Sequence, residues 1–298
     1  MEARFWFLSF ANSGLGRWIR NPLKRIRRQA ETMGVFGDRI RIWTEHDLDA
    51  DFHEQMKGHL VAGSRGYGYW CWKPQIVLQL LREMEDGDVL LYADAGCHLN
   101  PRGTTRLMEY FALAKEHGIV AFEARSMDDT RRDDPSQHFL TDGEWCKGDL
   151  LDYYGVRAEK DITETGQLGG TAFLVEKNDD TQKFFAEFLD VFKRRFELCD
   201  DSPSISSNLP GFKENRHDQS VFSILGKKHG ACRLSCGEYA LINGFAPEAE
   251  RSDHVRWPLF WNDLSVFPIW AKHDKGGVRS LFPVWIKKIV HAASGGRI

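Results

Sequence analysis

The chain lacks the short signatures that would name a reaction at once. It has no GxxxxGK[ST], GxGxxG, HExxH or GxSxG; "GLG" at 14–16 stops short of the second of these. P-loop chemistry, the dinucleotide fingerprint, zincin metalloproteolysis and the serine-hydrolase elbow are therefore set aside. The 6 cysteines (Cys71, Cys97, Cys146, Cys199, Cys232 and Cys236) form no CxxC, and Cys232 and Cys236 have no matching second pair, so neither zinc nor a disulfide framework is indicated. A net charge of -3 gives no global reason to expect nucleic acid. The apolar N-terminal segment is broken at Ser9 and Asn12, too soon for a signal-peptide core or a membrane span, and the cytoplasm is the expected location. No internal repeat or linker divides the 298 residues, so a single domain over 1–298 is expected.

What is present is enough apolar material for a large core, at 42% hydrophobic and 12% aromatic residues. "RFWFLSFA" (4–11) reads as a buried strand, 14–34 as the helix after it, disturbed at Pro22, and "DRIRIWTE" (38–45) as a second strand. Residues 74–85 place Ile76, Val77, Leu80, Leu81 and Met84 on one face of an amphipathic helix. A strand at 88–93, a helix near 104–116 and a strand at 118–124 come next. This alternation predicts an α/β fold, a mostly parallel central sheet with helices on both faces. The polar stretch 126–144 reads as a long loop and 166–177 as a strand. Asn178 caps a helix carrying Phe184, Phe185, Phe188, Val191 and Phe192; 201–212 is a second loop, and 218–229 a short helix.

Several stretches carry candidate chemistry. In "RGYGYWCWKPQIVLQLL" (65–81), Pro74 suits the first turn of a helix and is expected to push Lys73 out of the α region. A cation at a helix entrance is unfavourable unless an anion shares the site; the plain alternative is a surface lysine beside core aromatics. In "DGDVLLYADAGCHLN" (86–100), Asp94 ends a buried strand. It is either a turn residue or a carboxylate placed where open α/β sheets bind ligands, able to hold a hard divalent cation. In "ENRHDQS" (214–220), Asn215 or Asp218 could cap the next helix, which leaves Arg216, His217 and Gln219 unexplained. The glycines of "GQLGG" (166–170) mark a bend or a close approach of substrate to backbone. The basic run 17–28 is the solvated face of the first crossover helix, with peripheral contact to an anionic membrane surface as its alternative.

Taken together, "RGYGYWCWKP", "GDVLLYADAGCHLN", "TGQLGGTAFLVEKND", "NRHDQSVFSILGKKHG" and "FPIWAKHDKG" resemble a family of bacterial glycosyltransferase-like proteins of the GT-A fold, associated with capsule and surface-polysaccharide synthesis. The resemblance spans roughly 4 to 276 with the blocks in order, and the glycine block is its least specific part. It implies a nucleoside-diphosphate-sugar site over the carboxyl edge of the sheet, formed by Ser9, Asn12, Arg65, Lys73, Asp94, Gly96, Gly169, Gly170, His217 and Lys272. It also implies that segment 258–298 packs near that site. "DAG" would stand for the DxD motif: Asp94 is its first acid, Gly96 occupies the place of the second, and a divalent metal (Mn2+ or Mg2+) would be held by Asp94 with His273. "HDQS" is similar to a block of retaining enzymes in which Gln219 faces the anomeric carbon and Asp218 binds hydroxyls. Lys272 would stabilise the leaving diphosphate.

The expected function is transfer of a sugar from a nucleoside diphosphate to a glycan or lipid-linked glycan acceptor, with retention. A sugar nucleotidyltransferase is the enzymatic rival, although "FANSGLGRW" is a poor match to its glycine-rich basic loop. A non-catalytic carbohydrate-binding scaffold on a decayed transferase fold is the rival from another class, kept open by the missing second acid.

Overall fold

The computed structural model describes residues 4–12, 17–123, 140–235, 238 and 266–271. Among them six strands form one sheet: β1 (Phe5–Phe10), β2 (Ile40–Trp43), β3 (Val89–Ala93), β5 (Ile119–Glu123), β6 (Ala172–Glu176) and β7 (Cys232–Ser235). Their order across it is β2-β1-β3-β6-β5-β7. β1 pairs in parallel with β2 and β3, and β5 with β7, while β6 runs against both β3 and β5. The mostly parallel sheet predicted from the alternation is present, with one reversed strand in it. A short ladder joins β4 (His98–Leu99) to β8 (Ile269–Trp270).

Period-two alternation assigns each strand residue to one of two cores. Trp6, Leu8, Phe10, Leu90, Tyr92, Ile119, Ala121, Phe173 and Val175 face one; Phe7, Val89, Leu91, Ala93, Val120, Phe122, Ala172 and Leu174 face the other. The second face is covered by α1 (Arg17–Met33) through Ile26, Ala30 and Met33, and by α5 (Thr104–His117) through Leu107, Tyr110, Phe111 and Ala114. The first is covered by α2 (Ala50–Met56), α4 (Trp72–Leu81), α9 (Asp179–Arg194) and α10 (Asp218–Lys228), with α3 (Gly66–Tyr69) leading into α4. Short helices α6 (Asp142–Trp145), α7 (Gly148–Tyr153) and α8 (Lys160–Thr163) lie between β5 and β6 in the chain. Helices on both faces are a consequence of the strand sequences: β1, β3, β5 and β6 are apolar on both sides, so neither face can be left to water.

Some expectations need correction. α4 is buried nearly all round, Gln75 and Gln79 included, because Gln79 accepts from Asp49 N at 3.0 Å and donates to Asp47 O at 2.9 Å, so these amides satisfy neighbouring loops rather than water. Lys73 lies inside the first turn of α4 rather than outside it, since the helix begins at Trp72. The end of the 126–144 loop is α6, closed by a Thr141–Glu144 capping box; residues 124–139 lie outside the described ones. Only Ala172–Glu176 of the 166–177 stretch forms a strand. Asn178 does cap α9, accepting from Thr181 N at 2.8 Å. Pro22 sits within α1 without ending it. The basic run is not wholly a solvated face: Arg25 donates to Ala95 O at 2.7 Å and Cys97 O at 2.9 Å, while Lys24, Arg27 and Arg28 are exposed.

α10 is locked in place by a buried ion pair that the sequence did not announce. Lys227 Nζ donates to Asp142 Oδ2 at 2.6 Å and to the carbonyls of Ile162 (2.9 Å) and Thr165 (3.1 Å), and both charged side chains are 0% exposed. Ser223 adds a bond to Asp142 Oδ2 at 2.7 Å and accepts from Leu168 N at 2.8 Å. Lys227→Met strands the Asp142 carboxylate in the core and is expected to cost about 3–5 kcal/mol of unfolding free energy in urea. The double variant with Asp142→Asn should lose less than the sum of the singles. Additive losses would mean the two charges do not act as a pair.

Candidate functional site

The carboxyl ends of β1 and β3, the start of β6 and the first turns of α4 and α10 meet at one edge of the sheet. The path to α4 is strained. Gly66, Tyr67, Gly68, Tyr69 and Trp70 have φ of 59°, 52°, 84°, 52° and 60°, a left-handed turn in which each non-glycine residue costs roughly 1–2 kcal/mol. Glycine is required at 66, because a Cβ there would come within 2.4 Å of the Trp70 ring. The turn is held by Trp72 Nε1 donating to Gly66 O (3.0 Å), Ser64 Oγ accepting from Gly68 N (2.9 Å) and Tyr69 OH donating to Asp201 (3.0 Å). Strain of this kind persists where the surroundings over-determine it, and it collects at functional sites.

The turn delivers Lys73 to the sheet edge. Its ammonium is buried, donates to Asp218 Oδ2 at 2.6 Å and Gly170 O at 2.9 Å, and lies 3.8 Å from Asp94 Oδ1. The anion that a lysine at a helix entrance calls for is supplied by the protein itself. Burial works against the charge on Lys73, but Asp218, and after it Asp94, hold its pKa above the ordinary lysine value. Burial pushes Asp218 up to about 6, with Lys73 opposing the rise. At neutral pH both are charged.

Asp94 begins a tight turn: Cys97 N donates to Asp94 O at 2.8 Å, and Asp94 N to Thr171 O at 2.9 Å. Gly96 lies in this turn, whose carbonyls at 95 and 97 are gripped by Arg25. The Asp94 side chain is 32% exposed and accepts from Tyr92 OH at 2.6 Å. β8 pairs with β4 just beyond the turn, which brings residues 269–270 to this edge.

Gly170 is a second glycine at which a side chain would crowd the site. A Cβ there would meet Asp218 Oδ2 at 3.2 Å and Lys73 Nζ at 3.4 Å, so its bare backbone admits the ion pair. Its N–H donates to Gln219 Oε1 at 3.3 Å, and Gln219 Nε2 donates to Gln167 Oε1 at 2.7 Å. Asp218 and Gln219, about 100° apart on a helix, thus both connect to Gly170, Gln219 directly and Asp218 through Lys73. Gly169 N donates to Phe122 O at 2.7 Å, in the bend before β6.

Neither Asn215 nor Asp218 caps α10. The cap position is His217, at φ 57° and ψ -119°, without a side-chain cap bond. Asn215 instead accepts from Lys147 N (3.4 Å) and donates to Leu198 O (3.1 Å), and Asp218 is drawn to Lys73. His217 Nδ1 is 2.8 Å from Cys199 O, and its buried Nε2 has no hydrogen-bond partner, lying 3.5 Å from Asp201. Burial holds its pKa below the usual imidazole value. Arg65 donates to Asp201 Oδ1 at 2.9 Å.

Of the residues expected in the site, Lys73, Asp94, Gly170, Asp218 and Gln219 are brought together, with Arg65 and His217 beside them around Asp201. Gly96 and Gly169 flank the centre. Ser9 is fully buried in β1 without a partner for its hydroxyl, and alternation places it on the α1 side of the sheet, opposite the ion pair. Asn12 is half-buried just past β1. Lys272 and His273 lie outside the described residues. Sequence reasoning passes over Tyr92, Gln167 and Asp201. Tyr92 had a signal, standing two residues from Asp94 and so on the same face; Gln167 was a polar side chain inside a glycine block.

The donor set does not fit a divalent cation held by described side chains alone. No group of three His, Cys, Asp or Glu side chains converges among them, and the carboxylate of Asp94 already accepts from Tyr92 and faces an ammonium.

No family model matches this chain, and no curated protein matches it. Loose overlaps with solved structures exist. A glycosyltransferase involved in glycosylation of the major capsid of PBCV-1 is 8% identical, with 80% of this chain and 84% of that one covered, at a TM-score of 0.41. Mouse xyloside xylosyltransferase 1 is 11% identical over 95% and 100%, at 0.42, and the galactosyltransferase LgtC 12% identical over 89% and 85%, at 0.40. Overlaps this loose carry no functional weight; the geometry of the site does.

Because Asp218 has a folded pKa of about 6 against an ordinary 3.8, the folded state binds the extra proton between those values. The contribution of this group to stability is therefore greatest below pH 4 or so and falls as pH rises through about 6. Asp218→Asn should flatten that part of the stability–pH curve, read by urea unfolding at fixed pH steps. An unchanged slope in the variant would show that Asp218 titrates normally. Lys73→Met should extend that fall to higher pH, by removing the cation that opposes the rise.

Proposed function

We propose that this chain is a glycosyltransferase that moves a sugar from a nucleoside diphosphate to a hydroxyl of a glycan or lipid-linked glycan acceptor, with retention of configuration. The observation that carries the reading is the convergence of Lys73, Asp94, Gly170, Asp218 and Gln219 at the carboxyl edge of the sheet, where α/β folds bind nucleotides.

The chemistry depends on how these groups are engaged. Asp218 is buried against Lys73, which makes it a poor nucleophile, and Gln219 has a carboxamide that cannot form a stable glycosyl ester. Neither group supports a covalent intermediate, which favours front-face displacement. The bond from the anomeric carbon to the phosphate oxygen breaks, the acceptor oxygen bonds on the same face, and the acceptor proton passes to the leaving phosphate. Gln219, fixed at both ends of its amide by Gly170 and Gln167, is preorganised to hold its dipole against the positive charge that develops at the anomeric carbon. Asp94, like Gln219, is only half-buried and is the carboxylate of the centre available to substrate. Lys272, after β8, would neutralise the leaving group.

Gln219→Ala is expected to lower kcat by about 100-fold while changing donor affinity little, as for loss of an interaction made in the transition state. The assay measures release of nucleoside diphosphate from a panel of sugar nucleotides, with anomeric configuration of the product read from NMR coupling constants. An inverted product removes the retaining mechanism. Absence of turnover across the panel, with and without Mn2+ and acceptor, removes the transferase reading.

A further inference from the structure

Lys73 is committed to the protein's own carboxylates, so a phosphorylated substrate must find its cations elsewhere. Two guanidiniums lie on the rim. Arg216, two residues before Asp218, stacks on Trp145 with its guanidinium carbon 3.9 Å from the ring centroid. Its Nε is buried without a hydrogen-bond partner, as is Trp145 Nε1 beneath it. Burial, with Arg65 adding to it, lowers the Arg216 pKa against the pull of Glu214. Arg65 leads into the strained turn 66–70 that precedes α4; its Nη1 donates to Asp201 Oδ1 at 2.9 Å, which leaves Nη2 facing Glu214.

Between them stands Glu214. One of its oxygens is 3.5 Å from Arg216 Nε and the other 4.0 Å from Arg65 Nη2, both longer than a hydrogen bond, and its side chain is 48% exposed. A carboxylate that bridges two guanidiniums without bonding to either leaves the orphaned donor unsatisfied. A phosphate, with tetrahedral oxygens and a match to the planar guanidinium fork, satisfies such donors better than a tethered glutamate.

We propose that Arg65 and Arg216 form an oxyanion site for a phosphate or diphosphate group, with Glu214 as its internal stand-in, displaced when the ligand binds. The site deepens the transferase reading and rests on it only for the source of the oxyanion: the donor's diphosphate or a phosphate on the acceptor.

The test is calorimetric titration of the full chain with inorganic pyrophosphate, then with UDP and GDP. Wild type should bind pyrophosphate saturably. Arg216→Gln and Arg65→Gln should each weaken binding by about tenfold or more, the effect of losing one charge-assisted hydrogen bond. Glu214→Gln should tighten it by about threefold, since the competing charge is gone. This exposed variant also keeps the test decisive if Arg216→Gln fails to fold. No saturable binding, unchanged affinity in Arg216→Gln, or no tightening in Glu214→Gln would overturn the site. A nucleoside diphosphate that competes with pyrophosphate assigns the site to the donor; pyrophosphate binding that persists under saturating nucleoside diphosphate assigns it to the acceptor. Pyrophosphate binding that depends on Arg216, in a protein that turns over no sugar nucleotide, sinks the transferase reading and leaves the anion site standing.

Discussion

The buried pair of Lys73 and Asp218 is the interaction around which the candidate site is organised. It joins α4 to α10 across the glycine that leads into β6, and each element would otherwise be free to settle separately on the sheet. Burying two charges is costly, and Coulomb attraction offsets it only when the remaining donors are satisfied. Here the Gly170 carbonyl takes a second ammonium proton and Asp94 stands close to the third. The position of Asp218 at the head of α10 is in turn held from behind, where Asp142 and Lys227 form an ion pair with no exposure at all.

The strain near this pair comes from the same requirement. Tyr67, Tyr69, Trp70 and His217 are the non-glycine residues with positive φ among those described, and the rings of Tyr69 and Trp70 both pack against His217. In the left-handed turn before α4, Arg65 and Tyr69 bond to Asp201 and Trp70 stacks on His217. Tryptophan packing on Gly66 together with the tyrosine bond to Asp201 offsets part of the cost of the turn.

Charge is handled in two ways within a short distance. At the centre, Lys73 is neutralised by fixed carboxylates and closed to solvent. On the rim, Arg65 and Arg216 are part-exposed; Arg65 is bonded to Asp201, while Arg216 is countered only loosely by Glu214 and keeps one donor unsatisfied. A closed centre keeps geometry constant while a rim with exchangeable partners admits a ligand. The aromatic floor supplied by Trp145 lets a guanidinium be half-buried without a protein carboxylate bonded to it.

Strand and helix identities were legible in the chain because they rest on local periodicity: β1, β3, β5 and β6 alternate between two cores, and α9 shows its cap and its phenylalanine face in the sequence. The site was legible as a set of blocks, since Lys73, Asp94, Gly170, Asp218 and Gln219 all stand out there. What they do to one another was not. Sequence spacing says nothing about which of two carboxylates, 21 and 145 positions from Lys73, its ammonium will bond, nor that Asn215 will bond to Leu198 rather than cap a helix. Those outcomes depend on desolvation: once packing buries a charge or an amide, it must take whichever partner the fold has brought within reach. The sequence by itself determined where the central strands and helices lie and which of their faces are apolar, not how the strands pair. Only the tertiary structure decided that Lys73 turns inward, that a glycine at 170 makes room for it, and that Arg216 is left on the rim with a donor unused.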